Sequence, residues 1–171
     1  MRGLYIGRFQ PYHLGHQAVI QKIAEEADEI VIVIGSAQES HTLENPFTAG
    51  ERMDMIYTAL QALRDRCYVI PLQDVKRNAV WVAHLKSMVP KFDLVYSNNP
   101  LVVQLFTEAG IEVRESPMYS RNVYSGTVIR KLMLEGGDWR SLVPAPVVSL
   151  VDGIKGVERL VNVSRKDAEI I

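Results

Sequence analysis

The segment Gly7-Arg8-Phe9-Gln10-Pro11-Tyr12-His13-Leu14-Gly15-His16 brings together a glycine, an arginine, a proline and two of the chain's four histidines. Gly7 lets the backbone approach a ligand closely, and Pro11 stiffens the turn. Imidazoles three residues apart across the start of a helix face one small volume above its N-terminus. Free amides at such a terminus bind phosphate, and ring N–H groups beside them can donate to phosphoryl oxygens as charge builds, without acting as nucleophiles. A lone histidine more often has a core or surface role, but two beside Arg8 in one turn point to chemistry at phosphorus. A second segment, Tyr124-Ser125-Gly126-Thr127-Val128-Ile129-Arg130, has the same character. Ser125, Gly126 and Thr127 can open a helix whose amides and hydroxyls face phosphate groups, and Arg130, about one turn on, adds a forked cation. Taken alone it reads more readily as an ordinary capped helix with a solvated arginine.

These residues need a scaffold, and the chain supplies the pattern of one. Short β-branched or aliphatic runs at residues 4–6, 30–34, 68–71, 94–97 and 111–115 alternate with longer amphipathic stretches. That alternation predicts an α/β fold, a doubly wound, parallel five-stranded sheet with helices on both faces. Ala18, Val19, Ile23, Ala24 and Ala27 recur at helical spacing after the first strand. Thr48-Ala49-Gly50-Glu51 reads as a capping box opening a helix to about Leu63. Asn99-Pro100 supplies a cap and an N1 proline for a helix over residues 101–109, and Asn78 is placed to cap the helix that carries Trp81. A helix over residues 125–134, stopped by Gly136-Gly137, and another after Pro144 and Pro146 form a small C-terminal helical segment. The organisation expected is a single domain, residues 1–171, made of a Rossmann-like core (1–120) and the phosphate-binding helix with its C-terminal helices (121–171). The polar tail beyond Val163 is expected to fray.

Composition narrows the partners. The 171 residues are 47% hydrophobic and carry 19 basic against 20 acidic side chains. No chain-wide positive field exists to hold a nucleic acid, so an anionic ligand must be held locally. Apolar runs such as residues 30–34 are far short of the ~20 residues that cross a bilayer. The lone cysteine, Cys67, excludes an intramolecular disulfide framework and reads as a small buried apolar residue. With no secretion signal in view, a cytoplasmic protein is expected.

The two motifs resemble the HxGH and (I/S)SxTxxR signatures of the nucleotidylyltransferase superfamily, the first in its wider GRFQPxHxGH form and the second as SGTVIR. The resemblance extends over most of the chain through GRFQPYHLGH, GSAQESHTLENPFTAGERM, NAVWVAHLK, SNNPLV, YSGTVIR and GDWRSLVP, and is closest to the archaeal type of nicotinamide-nucleotide adenylyltransferase. It implies a Rossmann-like fold, ATP and nicotinamide mononucleotide (NMN) as substrates, NAD and pyrophosphate as products, magnesium bound with ATP, and a homo-oligomer, the hexamer being common. Carried over by position, Gly7, Arg8, Phe9, His13, His16, Ser125, Gly126, Thr127 and Arg130 would bind ATP. His13, His16, Arg8 and Arg130 would stabilise charge around the α phosphate and the departing pyrophosphate. Trp81 would stack on the nicotinamide ring with Asn78 close by; the alternative for Trp81 is core packing among Val80, Val82 and Leu85. The loop over residues 35–46, with Ser36, Gln38, Ser40 and His41, would pass the site, and Asn98 and Asn99 would approach the adenosine. Glu44 departs from the basic residue of relatives, so no phosphate contact is carried over to it.

Three other readings compete. Transferases of the same superfamily act on phosphopantetheine or FMN, and the Trp81 segment argues against them. A non-catalytic nucleotide sensor would not need Arg8, His13, His16 and Arg130 together. A class I aminoacyl-tRNA synthetase fragment would need a longer chain, a basic patch and a KMSKS-like segment.

Overall fold

Each of the five aliphatic runs becomes a strand in a computed structural model of the chain, which describes residues 1–116 and 122–165. The strands β1 (Arg2–Gly7), β2 (Glu29–Ile34), β3 (Cys67–Pro71), β4 (Leu94–Tyr96) and β5 (Glu112–Arg114) are all parallel and lie in the order β3-β2-β1-β4-β5. Side-chain alternation along β2 explains its place inside the sheet. Ile30, Ile32 and Ile34 enter one core and Val31 and Val33 the other, all fully buried. Each such side chain contributes roughly 1.5–3 kcal/mol, which is why this strand tolerates no polar residue between its ends.

The first core is covered by α1 (Leu14–Glu26), α2 (Ala49–Ala59), α5 (Gly126–Glu135), α6 (Ala145–Gly153) and α7 (Gly156–Val163). The second is covered by α3 (Trp81–Met88) and α4 (Pro100–Glu108). Helices therefore lie on both faces, and the C-terminal helices share one core with α1 and α2. Cys67 is buried, which pushes its thiol up to about 11. Among the described residues no helix is long and apolar enough to cross a membrane.

Several boundaries follow local chemistry. Thr48 and Glu51 form the reciprocal capping box at the start of α2, and the Asn99 side chain accepts from the amides of Leu101 and Val102. Gly136, in the left-handed conformation, ends α5. The helix expected to reach Leu63 stops at Ala59 and tightens into a 3₁₀ segment, Gln61–Arg66. Asn78 does not cap α3: it opens a 3₁₀ turn, Asn78–Val80, and it is its backbone carbonyl that accepts from the Trp81 amide. α7 was not foreseen as a separate helix. Lys155, at φ 54°, turns the chain between α6 and α7. α7 is held by Arg159, which donates to both carboxylate oxygens of Glu51 at 2.7 and 2.8 Å and to the Pro46 carbonyl at 3.1 Å. Of the tail beyond Val163, residues 166–171 lie outside the described residues.

Candidate active site

The strand order reverses between β1 and β4, whose chains run on to opposite sides of the sheet, and ligands of such sheets gather at the carboxyl ends beside that point. A cavity of about 350 Å³ opens there. Its wall draws on the segment after β1 (Arg8, Phe9, Gln10, His13, Gly15, His16), on Asn98 and Ser116 beyond β4 and β5, and on residues 124–127 with Arg130 from the start of α5. Both motifs therefore meet in one place. No carboxylate is among its described lining residues.

His13 is the N-cap of α1, and the two imidazoles make a capping box that ordinarily uses a hydroxyl and a carboxylate. His13 Nδ1 accepts from the His16 amide at 3.3 Å, and His16 Nδ1 accepts from the His13 amide at 3.2 Å. Because each Nδ1 is an acceptor, each neutral ring carries its proton on Nε2, a donor with no hydrogen-bond partner among the described residues. The rings stack with centroids 3.6 Å apart, and Phe9 and Tyr12 pack on His16 at 4.6 and 5.6 Å. Burial lowers His13 to about 4, and burial together with its neighbour His13 lowers His16 well below the usual histidine range. The pair is thus neutral at physiological pH.

This has a measurable consequence for stability. Between the ordinary value of 6.5 and about 4 the unfolded chain takes up protons at His13 that the folded chain does not. Stability is therefore whole above that window and declines as pH falls through it, by roughly 3 kcal/mol from His13 alone. Urea titrations across that range should show the midpoint falling, with the fall reduced in His13→Gln. A midpoint that is flat with pH would mean that His13 is solvated.

At the other wall, Ser125 is the N-cap of α5, its hydroxyl accepting from the Val128 amide at 3.1 Å. The amides of Gly126 and Thr127 have no acceptor among the described residues and lie at the cavity, so two helix N-termini face it. Arg130 is buried, and its Nη1 donates to the Gln10 carbonyl at 2.7 Å. Burial first, and then the charge of Arg8, lower its pKa, while Glu44 opposes them. Arg8 itself is exposed at the rim.

The glycines are required by close approach. A Cβ on Gly15 would stand 2.9 Å from the His13 ring and from Tyr124 Cβ, and one on Gly126 would stand 2.6 Å from Arg130 Nη1 and 3.1 Å from the Gln10 carbonyl oxygen. Gly126→Ala should therefore fold normally but push Arg130 off its anchor. The expected result is roughly tenfold weaker binding of a polyphosphate ligand by calorimetry, the loss of about one hydrogen bond to a charged group. Unchanged affinity would show that the arginine's anchor is dispensable.

Not every residue singled out in the sequence lines this cavity. Gly7 ends β1 beneath the Phe9 ring, which a Cβ there would meet at 2.8 Å. Phe9 itself is buried at φ 54°. Asn78 is exposed, and Trp81 is half-buried, edge-on to Phe106 at 5.7 Å; neither is in the wall of this cavity. Asn98 is in the wall, but its amide is committed to the main chain of Ser116, donating at 2.6 Å and accepting at 3.1 Å. The loop over residues 35–46 instead walls a second cavity of about 640 Å³, through Ser36, Glu39, His41, Glu44, Asn45 and, from the next connection, Asp74.

Two residues that carry no local sequence signal of a role here hold the site together. Gln10 is buried and clasps Phe47, donating to its carbonyl and accepting from its amide, both at 2.9 Å. Arg52 is buried beneath Arg8 and the loop after β2. The run of polar and turn residues in Gln10-Pro11 and the arginine in an otherwise amphipathic helix were visible, but nothing local indicates partners so distant in sequence.

The donor set also bears on metals. Both Nδ1 atoms are occupied, the two arginines are cations, and no cluster of three or more histidine, cysteine, aspartate or glutamate side chains able to hold an ion occurs among the described residues. The cavity fits a ligand that brings its own divalent cation on its phosphates.

Comparison with known proteins agrees with this chemistry. The model of the cytidylyltransferase-like family matches residues 4–132. Among curated relatives, a nicotinamide-nucleotide adenylyltransferase of Methanothrix thermoacetophila is 66% identical over 166 residues, covering 97% of this chain and 98% of the relative. Another, of Methanolobus tindarius, is 60% identical over 168 residues, covering 98% and 97%. Among solved structures, a bifunctional NMN adenylyltransferase/ADP ribose pyrophosphatase of Francisella tularensis, complexed with AMP and manganese ion, aligns with a TM-score of 0.75 at 20% identity. That alignment covers 94% of this chain and 52% of the other, so this chain spans about half its length, and the likeness is one of fold.

Proposed function

The chain belongs to the cytidylyltransferase-like family, and from that premise we propose that it is an adenylyltransferase that joins ATP to nicotinamide mononucleotide, yielding NAD and pyrophosphate. The observation that carries the reading is the convergence of two helix N-termini, two arginines and two neutral imidazoles on a cavity with no carboxylate among its described lining residues. Such a cavity suits a polyphosphate and little else. High identity to relatives named for this activity supports the choice of acceptor.

The reaction is an in-line displacement. A phosphate oxygen of NMN attacks the α phosphorus of ATP, the new P–O bond forms as the bond to the β phosphate breaks, and pyrophosphate leaves. The attacking oxygen is already an anion, so no general base is called for and the protein aligns and neutralises. His13 and His16 donate through Nε2 to oxygens on which charge grows; being neutral, they add no attraction for the ground state beyond that hydrogen bond. Arg130, anchored on the Gln10 carbonyl, offers its remaining N–H groups to the departing phosphates beside Arg8 and the amides of Gly126 and Thr127. Ser125, by capping α5, keeps those amides in place. Gly7 and Phe9 shape the turn on which Arg8 stands.

The acceptor's nicotinamide ring would lie on the exposed part of Trp81, near Asn78, as the family resemblance implies. Both come a few residues after Asp74, a wall residue of the second cavity that lies in the connection from β3 to α3. Magnesium accompanies ATP, and the whole chain acts as one domain in a cytoplasmic homo-oligomer, with a hexamer as the form implied.

The test is incubation of the purified protein with ATP and magnesium and, separately, NMN, nicotinic acid mononucleotide, FMN and phosphopantetheine, with chromatography of dinucleotide and pyrophosphate. NAD from NMN supports the reading. Product only from FMN or phosphopantetheine overturns the acceptor, and tight ATP binding without any product overturns catalysis.

A further inference from the structure

Arg52, in the first turns of α2, has no exposed surface and no ion-pair partner among the described residues. Its partners are main-chain carbonyls. Nε donates to Thr48 at 3.2 Å, Nη1 to Arg8 at 3.0 Å and Gly35 at 2.9 Å, and Nη2 to Ser36 at 3.1 Å, Ala37 at 3.4 Å and Glu39 at 3.2 Å. Taking a guanidinium out of water is expensive unless its donors are satisfied, and burial does lower its pKa, to about 10, which leaves it charged. Only arginine presents five donors in a rigid fork; they serve these six carbonyls by sharing the two N–H groups of Nη2 among three, which no other side chain can do.

The carbonyls it holds are those that set the site. Arg8 precedes Phe9, which is left-handed at φ 54°, and Ser36 is itself left-handed at φ 49°. Neither is glycine, so each conformation is strained and is kept by its surroundings. Arg8 begins the wall of the first cavity, and Ser36 and Glu39 belong to the wall of the second. One side chain therefore fastens the ends of β1 and β2 to each other and to the start of α2.

We propose that Arg52 is a positioning residue for the transfer: it touches neither nucleotide, and it holds the walls of the two cavities in register so that the attacking oxygen and the α phosphorus meet in line. This rests on the adenylyl-transfer reading. Misalignment of about an ångström lowers a rate by ~10²-fold, so Arg52→Lys, which keeps the charge but loses the fork, should lower kcat per folded molecule by about that factor while each KM changes less than about threefold. Hydrogen exchange should quicken at least about tenfold at residues 8–10 and 35–41 and stay unchanged in β4 and α4.

A kcat within about threefold of the parent, or a loss of kcat with unchanged exchange in both loops, overturns the proposal. A parent that forms no NAD overturns the transfer reading instead; Arg52 is then judged by loop exchange and ATP affinity, and loosened loops with unaltered affinity leave it merely structural. If the lysine variant does not fold, Arg52→Gln is subject to the same criteria. Exchange in the parent is independent of any variant: the amides of Gly35, Ala37 and Glu39, which donate to Gly7, Leu72 and Ser36, must be as protected as the sheet, and exchange at the rate of an open loop rejects the clamp.

Discussion

The His16→Ala protein is expected to fold, to bind NMN about as tightly as the parent, and to turn over ~10²–10³-fold more slowly, the usual effect of removing one preorganised donor to a developing oxyanion. The reason lies in which nitrogen is free. His16 Nδ1 is taken by the His13 amide, so alanine removes both a cap, worth about 1 kcal/mol, and the Nε2 donor in the cavity. The first loss appears in the melting temperature and the second in kcat. His16→Asn separates them, because its side-chain oxygen can still accept from the His13 amide while its reach into the cavity is shorter. Steady-state kinetics with both substrates varied, beside calorimetry with NMN alone, reads the two effects independently. Near-parental turnover in the alanine variant would remove His16 from the chemistry.

Arg130→Lys should reduce kcat/KM for ATP by about 100-fold or more. The guanidinium makes two kinds of contact at once: Nη1 is fixed on the Gln10 carbonyl and the rest of the fork faces the cavity. A lysine ammonium is a point charge on a shorter reach and can satisfy the carbonyl or the phosphate but not both with the same geometry. Losing a forked, charge-assisted contact in a half-desolvated site corresponds to about 3 kcal/mol. Titration with ATP gives the part of this loss already present in the ground state, and initial rates give the whole of it. A change of less than about threefold would leave phosphate recognition to exposed Arg8 and the helix amides.

Much of this architecture is legible in the sequence because its signals are local. The apolar runs that become strands, the Thr48–Glu51 box and the Asn99-Pro100 start each involve residues no more than a few positions apart, and the spacing of the two histidines already sets them at one helix end. What was not legible is long-range. Gln10 meets Phe47, Arg130 meets Gln10, and Arg52 meets Arg8 only after the chain has folded, and the same residues in another fold would be solvated polar side chains. Asn78 does not cap α3 because a 3₁₀ turn intervenes, and no side-chain cap bond forms at the start of either element. The imidazole capping box is not legible because histidine is not among the usual caps, and the inward turn of both Nδ1 atoms arises only in the folded chain.

The ion pair between Arg159 and Glu51 joins residues 108 positions apart, and the Arg130 anchor spans 120. During synthesis, the ribosome delivers all five strands, and both histidines with them, well before it delivers either arginine. A nascent chain can thus assemble its sheet while the phosphate wall is still missing and the loop at Pro46 is still unclasped. A chain stopped short of α5 and α7 lacks both the Arg130 wall and the apolar side chains of Ile129, Met133, Val147, Val151 and Leu160 that close the first core, so truncation there should cost stability as well as adenylyl transfer.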